Sequence, residues 1–219
     1  GVIAADGTGV GTGRYDPGGC AYGGDKGIFG YGNWAGGTTY WNGSNKVSNL
    51  GVVASDTGGV GTARYAITAC EYGEDKGIFG YGSSQSETAG TTKTNLVSNT
   101  GVVASDVSGV GTARRFLSAC SYGAPPKDNG LFGFGNSSGG YHNETNKVSN
   151  LGVVSSDTTG VGTARGSLAS TQYGGDKAIF GFGSPTTAVT NKVSNAGVVS
   201  SDTAGVGTAR DGLGACSFN

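Results

Sequence analysis

The sequence predicts an all-β protein made of small antiparallel sheets that repeat along the chain. The first observation is a recurring segment, Gly-Val-Val/Ile-Ala/Ser-Ala/Ser-Asp, whose copies are spaced by 50, 50, 51 and 45 residues and begin at Gly1, Gly51, Gly101, Gly152 and Gly197. The second is that the 46 glycines return at fixed places in each copy, which marks them as backbone requirements. The third is that short runs of β-favouring residues alternate with glycine-rich turns and show no helical period.

The repeats run from one end of the chain to the other, so we expect one repeat domain over residues 1–219. Its complete copies are expected to span residues 1–50, 51–100, 101–151 and 152–196, and a partial copy spans 197–219. A repeat of about 50 residues is typical of solenoids, propellers and other arrays. Residues shared by all copies should build the frame, and function should lie where the copies differ.

Each copy is predicted to contain four short strands. In the second copy they are the segments 65–73, 76–82, 94–99 and 102–106. A polar loop over 83–93 joins the second strand to the third, and 107–112 forms a crossover to the next copy. Short strands in sequence with glycine-rich turns indicate a meander sheet.

The second strand, Lys-Gly-Ile-Phe-Gly-Tyr-Gly, indicates how such sheets stack. Side chains alternate between the faces of a strand, so Phe79 and Tyr81 are expected on one face and Ile78 and Gly80 on the other. The same aromatic pairs recur as Phe29/Tyr31, Phe132/Phe134 and Phe180/Phe182. We expect the aromatic face of one sheet to pack on the bare glycine face of its neighbour, since a single sheet cannot bury both faces.

The run Thr-Ala-Arg, a strand of small residues, a tight turn and Ile-Phe-Gly-Tyr/Phe-Gly together resemble a kelch motif. In that family an arginine precedes the innermost strand, and the next strand ends in a hydrophobic run closed by a double glycine. Here Gly-aromatic-Gly replaces the double glycine, and the family's tryptophan of the outer strand is absent. The resemblance implies a β-propeller of four-stranded blades.

The sequence of the whole repeat is similar to repeats in structural proteins of marine bacteriophages. The segments that carry this resemblance are Asp-Lys-Gly/Ala-Ile-Phe-Gly, Thr-Asn-Lys-Val-Ser-Asn and Gly-Val-Gly-Thr-Ala-Arg. That resemblance spans essentially the whole chain. It implies a virion component of the tail-fibre or surface-appendage type, and it implies no enzymatic activity. Other virion proteins would then be partners.

The number of blades follows from the number of predicted strands. We favour a five-bladed propeller whose fifth blade is shared by the two termini and lacks its middle strands. A four-bladed ring with overlapping ends is the alternative, and a β-solenoid is the third possibility, because 50 residues is long for one coil.

An arginine and an aspartate recur eight residues apart in every copy. The arginines are Arg14, Arg64, Arg114, Arg165 and Arg210, and the aspartates are Asp6, Asp56, Asp106, Asp157 and Asp202. We interpret them as frame residues, in which each arginine ties the crossover to its sheet through an ion pair or through bonds to carbonyl groups. The alternative is a charged ring that binds an anion in a central channel.

Composition argues against several functional classes. The net charge of −1, without a basic stripe, argues against a nucleic-acid partner, and no apolar run is long enough for membrane insertion. The single histidine, His142, rules out a histidine-based metal cluster and leaves it as the only route to a Ser-His-Asp triad. We therefore expect no catalytic residues, no metal, no cofactor and no enzymatic activity.

The loop between the second and third strands differs in every copy, and variable loops on a rigid frame commonly carry binding specificity. The aromatic loop candidates are Trp34, Tyr40, Trp41, Tyr141 and His142. Aromatic rings beside Asn, Ser and Thr suit the C–H faces and hydroxyl groups of sugars. The prediction is a virion adhesion module that binds host-surface glycans.

Two other functions stay open at this point. One is a secreted, extracellular lectin-like propeller, in which Asn-X-Ser/Thr triplets at Asn42, Asn136 and Asn143 would be glycosylation sites. The other is a propeller domain of an enzyme whose catalytic partner is missing.

Overall fold

The structure is a computed structural model that describes residues 8–34, 39–124 and 128–217. These ranges contain strands and turns, and no helix in them could span a membrane. The strands form four separate antiparallel sheets, one for each complete copy of the repeat, with a two-stranded hairpin beside the third. The predicted all-β class is therefore confirmed.

The first sheet contains four strands, and the second contains three. The first consists of β1 (Arg14–Tyr15), β2 (Gly18–Tyr22), β3 (Lys26–Trp34) and β4 (Tyr40–Val47). The second consists of β5 (Thr68–Tyr72), β6 (Lys76–Gly80) and β7 (Thr94–Val97). In each sheet the middle strand pairs with the strand before it and with the strand after it.

The third and fourth sheets follow the same plan. The third copy contains β8 (Ser118–Tyr122), β9 (Asn129–Gly133), β10 (Asn136–Ser137), β11 (Gly140–Tyr141) and β12 (Thr145–Val148). Of these, β10 and β11 form the separate hairpin. The fourth sheet contains β13 (Ala169–Tyr173), β14 (Lys177–Gly181) and β15 (Thr190–Val193).

The predicted fourth strand of each copy is wrong. The segment 102–107 lies antiparallel to β7 but forms isolated bridges in place of a strand, from Val103 to Val97 and from Val107 to Thr94, with one backbone bond between them from the Ala104 N–H to the Leu96 carbonyl at 2.8 Å. Between the bridges, the Asn95 side-chain amide donates to the Ala104 carbonyl at 3.0 Å. A side chain thus takes a group that a strand partner would otherwise use, and the segment remains an extended cover of the sheet.

The predicted packing of rings on glycine is confirmed. Phe79 lies so close to Gly30 of the preceding sheet that a Cβ atom at Gly30 would be 2.8 Å from the ring. Phe132 meets Gly80 in the same way, and Phe180 meets Gly133. A methyl group at these glycines would overlap the ring, so neighbouring sheets approach closely only because the side chain is absent.

The expectation that Phe79 and Tyr81 share one face is wrong. Tyr81 has a φ of 63°, in the left-handed region, and its ring meets Phe132 of the following sheet at 5.2 Å. Phe79 faces the preceding sheet, where it meets Tyr31 at 5.2 Å. The residue between the two glycines therefore reverses the alternation and sends its ring to the opposite side.

The left-handed conformation recurs at every Gly-aromatic-Gly, at Tyr31, Tyr81, Phe134 and Phe182. In the first sheet it coincides with a register shift between Gly30 and Gly32. For a bulky residue it costs about 1–2 kcal/mol, and packing must offset that cost. Tyr81 is fully buried, and the Arg114 guanidinium lies 5.1 Å from its ring centre.

Candidate functional site

A polar network ties each crossover to the sheets and forms the frame on which the variable loops stand. In the second copy, Arg64 donates to the Asn95 side-chain oxygen, and the Asn95 amide donates to the Asp106 carboxylate at 2.9 Å. The other carboxylate oxygen accepts the backbone N–H of Thr62 at 2.9 Å and its hydroxyl at 2.6 Å. One aspartate thus joins a strand of its own sheet to the crossover of the preceding copy.

The predicted pairing of arginine with the aspartate eight residues before it is wrong. Arg14, Arg114 and Arg165 each approach the aspartate of the following copy instead. The distances are 3.6 Å for Arg14–Asp56, 3.9 Å for Arg114–Asp157 and 4.0 Å for Arg165–Asp202. The crossover carries the arginine to the third strand of its sheet, where the asparagine already holds the later aspartate. Asp6 lies outside the described residues, and Arg210 lies 4.6 Å from the Phe182 ring centre.

The charged groups of this network interact with other groups of the fold. Hydrogen bonds from Thr12 and Asn45 lower the pKa of Asp56. Burial alone would raise the pKa of Asp106, but hydrogen bonds from Thr62 and Asn95 outweigh it, so the pKa is lowered. The guanidinium groups of Arg64, Arg114 and Arg165 are fully buried. These three arginines do not face solvent, so they are not available to an anion in an open channel.

In the first copy β3 and β4 pair as far as Asn33 and Tyr40, and aromatic side chains lie on both faces of this pair. Trp34 is 46% exposed and meets Trp41 edge to face at 6.4 Å on one side. On the other side Tyr40 meets Tyr65 of the second copy at 4.8 Å. Burial raises the pKa of the Tyr40 phenol, and the Tyr65 phenol raises it further.

Tyr65 extends the aromatic surface toward the third copy. Its ring meets Phe116 at 6.0 Å, and its hydroxyl accepts a hydrogen bond from Arg115 at 3.2 Å. We call Tyr40, Tyr65, Arg115 and Phe116 the tyrosine patch. It crosses three copies of the repeat, because each sheet places the residue after its arginine against the next.

Sequence reasoning missed Tyr65 and Arg115. Both occupy the position that follows the repeated arginine, and this position varies among the copies, as Tyr15, Tyr65, Arg115, Gly166 and Asp211. A variable position directly after an unchanging motif was the signal that could have identified them.

A cleft of about 410 Å³ lies beside the patch, between the first two copies. Its polar lining consists of Thr39, Tyr40, Thr62, Ser84, Gln85 and Ser86. The cleft therefore combines one aromatic ring with several hydroxyl groups and one amide. Such a lining can offer a ring face to C–H groups and hydrogen bonds to hydroxyl groups.

The predicted residues Tyr141 and His142 lie on the third copy and contact other groups. The exposed Tyr141 shares a 2.9 Å hydrogen bond with Ser184 of the fourth copy. His142 lies between two partners, with Nε2 at 2.8 Å from the Ser137 hydroxyl and Nδ1 at 3.1 Å from Glu144. The described contacts join Tyr141 and His142 to the third and fourth copies and not to the tyrosine patch.

The order Ser137–His142–Glu144 is that of a hydrolase triad, yet its setting is that of a turn. Ser137 lies in β10 and the other two residues follow directly after β11, and the Ser137 oxygen also accepts the backbone N–H of Gly139 at 3.1 Å. The serine hydroxyl thus ties the β10–β11 turn together. This arrangement fixes the loop. It also places a nucleophile next to a base, but the described residues form no substrate cleft around the pair.

Two of the three Asn-X-Ser/Thr triplets use their asparagine within the fold. The Asn42 amide donates to the Gly61 carbonyl at 2.7 Å, and the Asn143 amide donates to the Gly162 carbonyl at 2.6 Å. Both bonds hold a crossover against the preceding third strand. These side chains serve the frame rather than project freely from a loop.

Within the ranges that the structure describes, no group of three or more His, Cys, Asp or Glu side chains could hold a metal ion. Among the loop residues that the sequence singled out, Tyr40 lies in an aromatic and polar surface, the tyrosine patch with its neighbouring cleft. No known protein family and no curated protein matches this chain.

Proposed function

We propose that the chain forms a kelch-like β-propeller in which five blades are favoured and the fifth is incomplete. The support is the order of packing, since the second, third and fourth sheets each place a phenylalanine on a glycine of the sheet before it. An incomplete fifth blade also accounts for the uncovered faces of the two outer sheets. Phe29 of the first sheet is 48% exposed, whereas the equivalent Phe79 and Phe132 are fully buried.

On this frame, we infer a non-enzymatic structural and adhesion module of a virus particle that recognises glycans on a host surface. The observation that carries the glycan part is the tyrosine patch beside a cleft lined by hydroxyl and amide groups. A sugar would stack a C–H face on Tyr40 while its hydroxyl groups bond to the exposed Thr39 and Ser86. The virion part rests on the sequence resemblance.

The glycan part predicts that the purified chain binds members of a printed glycan array and that the Tyr40 ring carries much of the affinity. Tyr40→Ala should weaken binding by about tenfold, because a stacked aromatic ring contributes about 0.5–1.5 kcal/mol beyond its buried area. Tyr40→Phe keeps the ring and should retain most of the affinity. Binding that is unchanged when Trp34→Ala is combined with Tyr40→Ala would refute this site.

The virion part predicts that the chain is a particle component. An antibody raised against the purified chain should label intact particles in electron microscopy, and mass spectrometry of density-purified particles should recover its peptides. Recovery only from the medium, free of particles, would instead favour the secreted lectin-like alternative. Hexose increments on Asn136 would add to that alternative.

A further inference from the structure

Arg115 is the charged side chain of the tyrosine patch, and its guanidinium has donors that the described fold leaves unused. Its Nη1 donates to the Tyr65 hydroxyl at 3.2 Å, and its central carbon lies 5.7 Å from the Phe116 ring centre. No carboxylate is among these contacts. In the described part of the chain Nη2 takes part in no hydrogen bond, and the buried Nε also lacks a partner there.

The other charges beside the cleft compensate each other. The Lys93 ammonium lies 2.6 Å from the Glu87 carboxylate, which also accepts the hydroxyl of Ser84 at 3.2 Å. Lys93 and Glu87 together carry no net charge. The positive charge of Arg115 therefore sets the sign of the electrostatic potential at the tyrosine patch, and this sign favours an anion.

Arg115 lies near the ring on which a sugar is proposed to stack. Tyr40 lines the cleft and meets Tyr65, the residue to which Arg115 donates, at 4.8 Å. Burial is the largest influence on the pKa of the Tyr40 phenol and raises it, whereas the positive charge of Arg115 lowers it. The guanidinium is thus close enough to act on Tyr40. Because the Tyr65 oxygen accepts a proton from Arg115, its own O–H can donate to a second oxygen.

The contact between the third and fourth copies has an equivalent ring without the cation. Tyr141 holds the position of Tyr40 there, two residues before the asparagine that bonds to the crossover. A Cβ atom at Gly166, the residue after the arginine, would lie 3.6 Å from the Tyr141 ring, and the Tyr141 hydroxyl bonds to the neutral Ser184. Packing of this ring on the next copy thus does not require an arginine.

We propose that the tyrosine patch and its cleft select acidic glycans, in which Arg115 binds an anionic group of the sugar that stacks on Tyr40. This inference rests on the proposed glycan-binding function and names the class of sugar. A guanidinium forms paired, charge-assisted hydrogen bonds with the oxygens of a carboxylate, a sulfate or a phosphate. The bound anion compensates the partly buried charge of Arg115, which a neutral sugar cannot do.

The test compares matched pairs of sugars on the 219-residue chain. A printed array presents oligosaccharides that end in glucuronic acid or glucose, that are sialylated or unsialylated, and that are sulfated or unsulfated. The acidic member of at least one pair should bind about tenfold more tightly than its neutral partner, because a charge-assisted hydrogen bond is about twice as strong as a neutral one. The first two pairs test for a carboxylate, and the third tests for an ester anion.

Matched variants of the chain locate the preference. Arg115→Gln removes the charge but keeps a donor for Tyr65, and it should lower the ratio of acidic to neutral affinity to about one. Lys192→Gln is the control, because it removes the same charge from an exposed position of β15 in the fourth sheet. It should keep the preference of the parent chain. Circular dichroism checks that both variants fold.

Three results would overturn the inference. Equal binding of both members of every pair by the parent chain would leave the glycan function standing and remove only the acidic class. A preference for the acidic sugar that a folded Arg115→Gln chain keeps, or that Lys192→Gln loses to the same extent, would exclude Arg115 as its source. Binding of no glycan at all would end the proposed function and this inference together.

Discussion

Replacing Asn95 by alanine should lower the free energy of unfolding by about 3 kcal/mol. Asn95 is fully buried, and its two side-chain groups bond to Arg64, to the Ala104 carbonyl and to Asp106. The substitution removes all of these bonds and leaves the fully buried Arg64 guanidinium with its bonds to the Tyr81 and Lys93 carbonyls. A buried charged group that loses one of its hydrogen-bond partners costs more than the lost bond itself. Urea denaturation followed by circular dichroism measures the change.

Asn49→Ala is the matched control for this experiment. Asn49 is an exposed asparagine of the same side-chain size, and its amide makes a single surface bond to Asp25 at 3.0 Å. Its loss should change the free energy of unfolding by less than about 0.5 kcal/mol. If Asn95→Ala is no more destabilising than Asn49→Ala, the Arg–Asn–Asp–Thr network does not hold the crossovers.

The strands and their stacking could be predicted from sequence because their causes are local and periodic. The glycines of the middle strand recur beside phenylalanines, so the contact of Phe79 with Gly30 follows from the pattern. The left-handed φ of Tyr81 could not be predicted in the same way. The sequence Gly-Tyr-Gly is compatible with a regular alternating strand and with a bulged strand. Packing against the aromatic ring of the next sheet determines which of the two forms.

The aspartate partner of each arginine could not be predicted from the sequence for a different reason. Asp56 and Arg64 are close in sequence, but the crossover between them leads from one sheet to the next. The bond from Thr12 to Asp56 spans 44 residues and depends on how neighbouring sheets are placed. Spacing along the chain carries no information about that placement.

The candidate site was predicted in part. Tyr40 and Trp34 were predicted because they are aromatic residues in an otherwise polar loop. Loops that differ among copies commonly carry binding specificity. Tyr65 was missed because it lies outside the loop and reaches Tyr40 only across the contact between two copies. A site assembled from two repeats is visible only when their stacking is known.

The second large effect is expected from the phenylalanine rings between sheets. Phe132→Ala should reduce the free energy of unfolding by about 3–5 kcal/mol, as is usual for large-to-small changes in a core. Phe132 is fully buried, and it lies against Gly80 and Tyr81 of the preceding sheet. The substitution leaves a cavity there that the rigid backbone of Gly80 cannot fill. Urea denaturation of the two proteins side by side measures the loss.

Phe29→Ala provides the comparison, because Phe29 occupies the same position in the first sheet. Phe29 is 48% exposed, so its replacement should cost less than about 1 kcal/mol. The two variants delete the same atoms from the same strand of the repeat, and they differ only in whether a sheet covers the ring. Similar losses for both would mean that another part of the chain covers Phe29 in solution. A small loss for Phe132→Ala would mean that contacts between sheets contribute little, and the stacked arrangement could not then be the main source of stability.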